Sequence, residues 1–233
     1  MTDEANAGKQ LETVLDGVRY LRIPIKTKLV MSDDDIIDVV TTFAGDRLHD
    51  GDVLFVTEKI VAITQGRSYP TESIAPRKLA TWLSNHVTKT PNGIGLGLPQ
   101  TMEMALRECG TPRILLAAGV AAVTKLFGRK GDFYRVAGAK ARGIDGPTSG
   151  TIPPYNSHVV LAPARPREVA VQLRDALGKV VEVLIVDIND LGGNVLGSTM
   201  DRASTRVMEK VLLDNPLGQG RESTPMGIIR RTA

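Results

Sequence analysis

Apolar residues along the chain follow two alternating periods, which predict an alternation of helices and strands. Runs rich in β-branched and aromatic residues predict strands at 18–25, 53–57, 60–64, 114–118, 133–137, 157–161, 180–186 and 226–230. Apolar spacings of three and four residues predict helices at 36–43, 76–86, 99–109, 166–177 and 201–213. Several predicted strands follow one another too closely for a helical crossover. The sequence therefore predicts an α+β fold with mixed, antiparallel-rich sheets and flanking helices.

No internal repeat or low-complexity linker divides the chain. Residues 1–17 are small and polar, which predicts a flexible N-terminal lead-in. A length of 233 residues is compatible with one large domain, which we place at 18–233.

Composition and charge exclude several classes of protein. The net charge is only +3 and aromatic residues make up 4% of the chain, so neither a basic patch nor stacking platforms for nucleic acid are expected. The most apolar stretch, 114–123, is too short to cross a bilayer, and the N-terminus lacks a targeting pattern. Cys109 is the single cysteine, so no internal disulfide forms. We expect a cytoplasmic protein that binds no membrane.

Familiar site motifs are incomplete in this chain. One cysteine and three dispersed histidines do not form a zinc site. The glycine-rich segment 93–97 is followed by Leu98, where the dinucleotide fingerprint requires glycine. The segment 192–199 follows a P-loop pattern until Ser198, which stands where the phosphate-binding lysine is required.

Oxygen-bearing side chains at predicted strand ends are the remaining candidates for chemistry. Asp145 lies in a Gly/Pro loop before a strand, and Asp187, Asn189 and Asp190 follow the most apolar strand of the chain. Hard oxygen ligands of this kind suit Mg²⁺ or Mn²⁺ accompanied by phosphates. The alternative is structural, with Asp145 and Asp190 forming turns and Asp187 capping the next element.

An ordered set of segments over residues 20–231 resembles the coenzyme F-420-0:L-glutamate (γ-glutamyl) ligase family. The matching segments are Asp50-Gly-Asp-Val-Leu54, Val56-Thr-Glu-Lys-Ile-Val61, Gln65-Gly-Arg67, Gly143-Ile-Asp145, Pro153-Pro154, Asp187-Ile-Asn189, Gly192-Gly193 and Asn215-Pro-Leu-Gly-Gln219. Two further segments are similar to a bacterial subgroup, Lys89-Thr-Pro-Asn-Gly-Ile-Gly-Leu-Gly97 and Ile152-Pro-Pro-Tyr-Asn156.

The resemblance implies a fold, an activity and a set of ligands. It implies a γ-glutamyl ligase-like fold in an intertwined homodimer, without the fused flavin-reductase domain of some relatives. It implies GTP as co-substrate and two divalent cations, Mg²⁺ or Mn²⁺, per site. The implied reaction phosphorylates a carboxylate of the deazaflavin precursor, and the amine of L-glutamate then attacks the acyl phosphate. Paired metals suit the charge that develops on a transferring phosphoryl group.

The resemblance also assigns roles to individual residues. Asp145 and Asp187 fall on the catalytic, metal-binding carboxylates, and Gln219 falls on a third metal ligand, with Glu222 as a possible substitute. The nucleotide-binding positions fall on Glu58, Lys59, Arg67, Thr148, Asn189, Asp190, Gly192 and Gly193. The resemblance implies that Glu58 and Lys59 lie on a hairpin.

The chain departs from the family pattern at three places. Ile63 replaces a family lysine, the following tetrad reads Thr64-Gln-Gly-Arg67, and the family's middle segment is replaced by residues 88–134. Two alternatives to the ligase therefore stay open. One is the same chemistry on a different carboxylate, and the other is a non-catalytic nucleotide-binding relative, which the neutral Gln219 favours.

Overall fold

The computed structural model describes residues 4–87, 95–129, 131–190, 192–218 and 221–232. The chain divides into two compact units. We call the first, Met1–Gly66 with Pro163–Ala233, the sheet unit, and the second, Arg67–Ala162, the helical unit.

Most of the predicted strands and helices are present within the described residues. The strands are β1 (Glu12–Leu15), β2 (Val18–Ile25), β3 (Val53–Thr57), β4 (Ser68–Pro70), β5 (His158–Val160), β6 (Glu182–Asn189), β7 (Gly192–Ser198) and β8 (Met226–Thr232). The helices are α1 (Ile36–Ala44), α2 (Glu58–Thr64), α3 (Lys78–Ser84), α4 (Pro99–Cys109), α5 (Thr111–Leu126), α6 (Asp132–Ala137), α7 (Ala139–Arg142), α8 (Pro166–Leu177) and α9 (Arg202–Val211). The predicted mixed α+β class is confirmed, whereas the intertwined dimer stays a prediction.

The sheet unit contains a six-stranded mixed sheet in the order β1-β2-β8-β3-β6-β7. Its parallel pair is β3 with β6, and the other described neighbours run antiparallel. Apolar residues cover both faces of the central strands. Val183 and Ile185 of β6 pack in one core cluster with α1 and α8, while Leu184 and Val186 pack in another with α9. Burial on both faces explains why β6 reads as a continuous apolar run.

The predicted N-terminal lead-in contains ordered structure. β1 pairs with β2 through a tight turn at Asp16 and Gly17, both of which have positive φ, as two-residue hairpins with matching twist require. Upstream, the Asn6 side chain donates hydrogen bonds to the Leu217 carbonyl (2.7 Å) and to Thr224 Oγ1 (2.6 Å). The low apolar content of this segment hid a strand whose partners lie elsewhere in the chain.

Three predicted strands are helices. Residues 60–64 belong to α2, 114–118 to α5 and 133–137 to α6. Four consecutive residues of α2, from Ile60 to Ile63, are buried, so their apolar run lacks the polar positions that mark a helical period. A short apolar run cannot be distinguished from a buried strand by periodicity alone. The α1 helix also begins later than Ser32 suggests, because the Asp35 carboxylate caps the amides of Ile37 and Asp38.

The helical unit combines α3–α7 with the two-stranded β4–β5 sheet. Its core cluster includes Leu83, Met102, Leu106, Ile114 and Leu161. Among the described residues, no single helix is long and apolar enough to cross a membrane. The α4–α5 pair meets the length and composition criteria only when taken together, and it is bent by 117° at its break.

Candidate active site at the ends of β3 and β6

The carboxyl ends of two parallel strands bring several predicted site residues to one edge of the sheet. β3 and β6 are in register from Val53 opposite Glu182 to Thr57 opposite Val186. Glu58 and Lys59 begin α2 directly after β3, and Asp187 directly follows Val186 on β6. Carboxyl ends of parallel strands are the usual place for ligands in α/β sheets. The resemblance placed Glu58 and Lys59 on a hairpin, which is wrong, because both residues lie in the first turn of a helix.

We call Asp187, Asn189 and Asp190 the acidic edge. Asp187 and Asn189 are half-buried and, because side chains alternate along a strand, they project to the same face of β6. Asp190 is exposed and follows β6 in the turn to β7. The acidic edge therefore combines a rigid strand end with a turn.

The predicted nucleotide-binding glycines belong to the β6–β7 hairpin. Gly192 pairs with Asn189 and Gly193 pairs with Ile188, so the P-loop-like segment is strand β7. A Cβ atom on Gly193 would stand 2.6 Å from Ile188 Cγ2 and 3.3 Å from the Asp187 carbonyl oxygen. The close approach of the two strands therefore accounts for glycine at 193, while its binding of nucleotide stays a prediction.

Asp190 is held by two side chains that sequence reasoning did not assign to the site. Lys9 Nζ donates to Asp190 Oδ1 at 2.8 Å, and Asn215 Nδ2 donates to the same oxygen at 3.0 Å. The hydrogen bonds from Lys9 and then Asn215 lower the pKa of Asp190 below its usual value. Lys9 also donates to the Asp214 carbonyl at 3.1 Å, so it ties the N-terminal segment to the loop that follows α9.

Asn215 has a buried oxygen with no donor among the described residues. Its side chain is 1% exposed, and Oδ1 makes no hydrogen bond. The orientation of the amide follows from Asp190, because an ionised carboxylate only accepts and the amide nitrogen must face it. A buried polar atom without a partner is costly and calls for an explanation. The one signal for it in the sequence is its place in the Asn215–Gln219 segment.

The loop between α9 and β8 reaches the same edge of the sheet. Met226 at the start of β8 pairs with Val56, and the Pro225 carbonyl accepts a hydrogen bond from the Thr57 amide at 2.9 Å. The predicted metal ligand Gln219 belongs to this loop but lies outside the described residues. Glu222, its possible substitute, is half-buried in the same loop.

The donor chemistry of this edge suits a hard divalent cation. Asp187 supplies a carboxylate and Asn189 an amide oxygen from one face of β6. Within the described residues, no group of three His, Cys, Asp or Glu side chains could hold a metal ion by itself. Mg²⁺ is commonly bound by one or two carboxylates, with waters and substrate phosphates completing its shell. The acidic edge fits that type of site better than a closed protein cage.

The other predicted site residues belong to the helical unit. The Asp145 backbone exchanges two hydrogen bonds with Val160, at 2.8 and 3.0 Å, which extends the β4–β5 sheet at its β5 edge. Gly143 is required nearby, because a Cβ atom there would lie 2.8 Å from Ala162 Cβ. Thr148 is exposed in the following loop. Asp145 is thus presented from a fixed backbone, and its metal-binding role stays a prediction.

Arg67 is engaged within the helical unit. Its Nε donates to the Ala162 carbonyl and its guanidinium to Glu108 Oε1, both at 2.7 Å. Burial by itself would raise the pKa of Glu108, but the Arg67 hydrogen bond and charge lower it overall. These contacts explain Arg67 structurally, and its binding of nucleotide stays a prediction.

A cleft of about 520 Å³ lies elsewhere on the sheet unit, bordered by α8 and α9. Its lining contains none of the predicted site residues and consists of Arg167, Met200, Asp201, Arg202, Thr205, Arg206 and Glu209. The chemistry of the candidate site therefore rests on the strand ends.

Comparison with known proteins supplies independent support. A search of curated proteins finds no match. A family model described as F420-0:Gamma-glutamyl ligase matches residues 24–197, which is well over half of the chain and includes both Asp145 and Asp187. The match confirms the resemblance read from the sequence. This chain therefore belongs to the F420-0:gamma-glutamyl ligase family.

Proposed function

We propose that this protein is a GTP- and divalent-metal-dependent ligase that joins L-glutamate to the deazaflavin precursor coenzyme F-420-0. Family membership supports a γ-glutamyl ligase of coenzyme F-420 biosynthesis, and it is the observation that carries the proposal. The use of GTP, the metal and the acyl phosphate intermediate go beyond that membership. They draw support from the oxygen-rich edge at the ends of β3 and β6.

The proposed reaction has two chemical steps. A carboxylate oxygen of the acceptor attacks the γ-phosphorus of GTP, which breaks the bond to the β-phosphate oxygen and releases GDP. The neutral amine of L-glutamate then attacks the acyl carbon, phosphate leaves with the bonding electrons, and the nitrogen loses a proton as the amide forms. Both steps move negative charge, so positioning and electrostatic stabilisation contribute most of the catalysis.

The acidic edge has a defined task in this scheme. Asp187, with Asp145 as the second proposed carboxylate, would hold divalent cations, which neutralise phosphate charge during transfer. Asn189 would add an oxygen ligand from the same strand face. The rigid backbone of β6, buried on both faces up to Val186, keeps Asp187 at a fixed position. A fixed carboxylate loses little entropy when its ligand binds, which favours a preorganised site.

Lys9 and Asn215 would shape the turn beside this edge. Their hydrogen bonds to Asp190 keep that carboxylate ionised and fix its direction. The unpartnered Asn215 oxygen gives the same turn one acceptor that a substrate ammonium or a metal-bound water could satisfy. We assign these residues to positioning rather than to the reacting atoms.

The decisive experiment is mass spectrometry of the acceptor after incubation with purified protein, GTP, Mn²⁺ and L-glutamate. We expect the mass of coenzyme F-420-0 to rise by whole glutamyl residues, together with release of one phosphate per amide formed. Reactions without glutamate or without Mn²⁺ serve as controls. Product formation on another carboxylate, with none on coenzyme F-420-0, would replace the acceptor in this proposal. Failure to release phosphate with any acceptor would favour a non-catalytic nucleotide-binding relative.

A further inference from the structure

Helix α5 carries an apolar stripe on its exposed side. The stripe consists of residues that fall on one face at helical spacing, namely Leu115, Leu116, Gly119, Ala122, Val123, Leu126 and Phe127. All seven are exposed, and Leu116, Leu126 and Phe127 reach 62%, 84% and 78% exposure. Single exposed apolar residues are ordinary, whereas a contiguous apolar face usually marks an interaction site. We call this set the α5 stripe.

The opposite side of α5 is already used for packing. Ile114 and Ala117 are fully buried in the core cluster of the helical unit. Between Ile114 and Thr124 the helix has no charged residue, so neither side offers the polar face expected of a solvated helix. A helix that is apolar all round is normally buried on all sides. The α5 stripe is therefore a surface without its covering partner.

The size of the stripe fits one half of a small protein interface. With roughly 150–250 Å² for a fully exposed aromatic side chain and somewhat less for leucine or valine, the large residues expose on the order of 500–600 Å² per chain. Two such faces together bury about 1,000 Å² or more, which is the lower bound for a specific interface.

The shape of the stripe suits a second copy of the same helix. Gly119 and Ala122 lie at its middle, with Leu115 and Leu116 at one end and the group from Val123 to Phe127 at the other. In an antiparallel pair about a two-fold axis, the bulky end of each helix meets the opposite end of its partner, while the small central residues allow close approach. Such an isologous contact is complementary to itself.

The charges beside the stripe favour protein over lipid. Arg113 donates through Nε to the Val136 carbonyl at 2.9 Å, and Arg129 pairs with Asp132 at 3.0 Å. Both guanidinium groups are therefore engaged within the helical unit. Membrane-surface helices instead direct rows of basic side chains toward anionic headgroups.

We propose that the α5 stripe is a self-association surface, through which two copies of this chain pair α5 against α5 about a two-fold axis. The proposal is independent of the ligase reaction, because none of its residues belongs to the acidic edge or to the other predicted site positions. It identifies the segment that replaces the family's middle region as the source of this contact.

Sedimentation equilibrium over a wide concentration range tests the surface directly. We expect the wild type to dimerise, and Leu116→Glu and Val123→Glu to raise the dimer Kd at least about tenfold, equivalent to about 1.4 kcal/mol. Val180→Glu is the matched control, since Val180 is 75% exposed but lies in the sheet unit. Circular dichroism and melting curves of each variant verify that it folds. A wild type that stays monomeric throughout overturns the proposal, and so does an unchanged Kd in folded stripe variants.

Disulfide trapping provides a second readout that does not require a destabilising charge. In a Cys109→Ser background, Ala122→Cys should form a covalent dimer under mild oxidation, whereas Val180→Cys should not. Equal trapping at both positions, or trapping at neither, contradicts the proposed geometry. Flotation with anionic phosphatidylserine vesicles covers the lipid alternative. A monomer that floats through an intact stripe and sinks as Leu116→Glu would assign the stripe to membrane and overturn self-association.

Discussion

Two carboxylates, Glu103 in the helical unit and Asp187 in the sheet unit, show how differently acidic residues are used in this protein. Glu103 is 2% exposed and accepts hydrogen bonds from Arg77 Nε (3.0 Å), from the Arg77 amide (3.1 Å) and from Arg107 Nε (2.8 Å). Asp187 is half-buried where a buried strand reaches the edge of the sheet. The first acid is saturated by its own unit, and the second stands at a place where ligands bind.

The pKa of Glu103 reflects that saturation. Burial by itself would raise it, but the hydrogen bonds and charge of Arg77, followed by Arg107, lower it overall. A carboxylate removed from water must keep such partners permanently, because an unpaired buried charge is strongly unfavourable. It therefore serves stability and leaves no oxygen for a substrate. An acid at a strand end can remain hydrated until a cation arrives, so it can serve binding.

The largest expected effect is on catalysis by the variant Asp187→Asn. The substitution keeps the shape of the side chain but removes the charge that would hold divalent cations. We expect turnover to fall about 1,000-fold, which is about 4 kcal/mol of lost transition-state stabilisation. The melting temperature without metal should stay equal or rise, because one negative charge is removed beside Asp190. Calorimetric titration with Mn²⁺ and glutamate-dependent phosphate release measure the two effects.

The opposite acid provides the control for that experiment. Glu103→Gln should leave Mn²⁺ affinity unchanged, since it belongs to the packing of the helical unit. Equal Mn²⁺ affinity in wild type and Asp187→Asn would remove Asp187 from the metal site. The structural alternative, Asp187 as a cap, instead predicts a loss of about 0.5–2 kcal/mol in stability with metal binding untouched.

The next largest effect is on stability, from the same variant Glu103→Gln. It replaces charge-assisted hydrogen bonds with neutral ones and leaves Arg77 and Arg107 without their acid. Because both arginines are about half exposed, water can solvate them, which limits the loss. We expect the free energy of unfolding to fall by about 2–3 kcal/mol. Chemical denaturation at neutral pH measures it, and a loss below about 0.5 kcal/mol would show that Glu103 does not anchor this unit.

The pH dependence of that difference follows from the direction of the pKa. Because the folded-state pKa of Glu103 is lowered, its contribution is complete above the unfolded value near 4.5 and is lost as pH falls through the folded value. The stability gap between wild type and Glu103→Gln should therefore be constant at neutral pH and shrink in acid. Denaturation series at several pH values test this. A gap that widens on acidification would reverse the assigned direction of the pKa.

The two units also differ in how well their sequence predicts them. In the sheet unit, Val18–Ile25 and Val53–Thr57 are predicted to the residue, and so is Pro166–Leu177. Long runs with a clear period and capping residues leave little ambiguity there. In the helical unit, the strands predicted at 114–118 and 133–137 are helices. A helix with apolar residues on both sides, such as α5, loses the periodic signal on which the prediction depends.

The candidate site could be predicted only as far as local sequence reaches. Asp187, Asn189 and Asp190 follow an apolar strand, so their position at a sheet edge follows from the pattern. Lys9 and Asn215 could not be predicted, because they reach Asp190 from 181 and 25 residues away in sequence. Such contacts arise from topology, in which the N-terminal segment and the loop after α9 meet the β6–β7 turn.

The smallest expected effect concerns Asp190, which stands between the two extremes. Its side chain is 53% exposed and it pairs with Lys9, which is 19% exposed. Exposed ion pairs contribute little, so Lys9→Met should lower the free energy of unfolding by at most about 1 kcal/mol. Because Lys9 is the main cause of the lowered Asp190 pKa, the variant should return that pKa toward its ordinary value. Carboxyl NMR titration of Asp190 measures this, with Lys210→Met, an exposed lysine of α9, as control. An Asp190 pKa that does not move would assign its ionisation to Asn215, and the acidic edge would then depend on the α9–β8 loop alone.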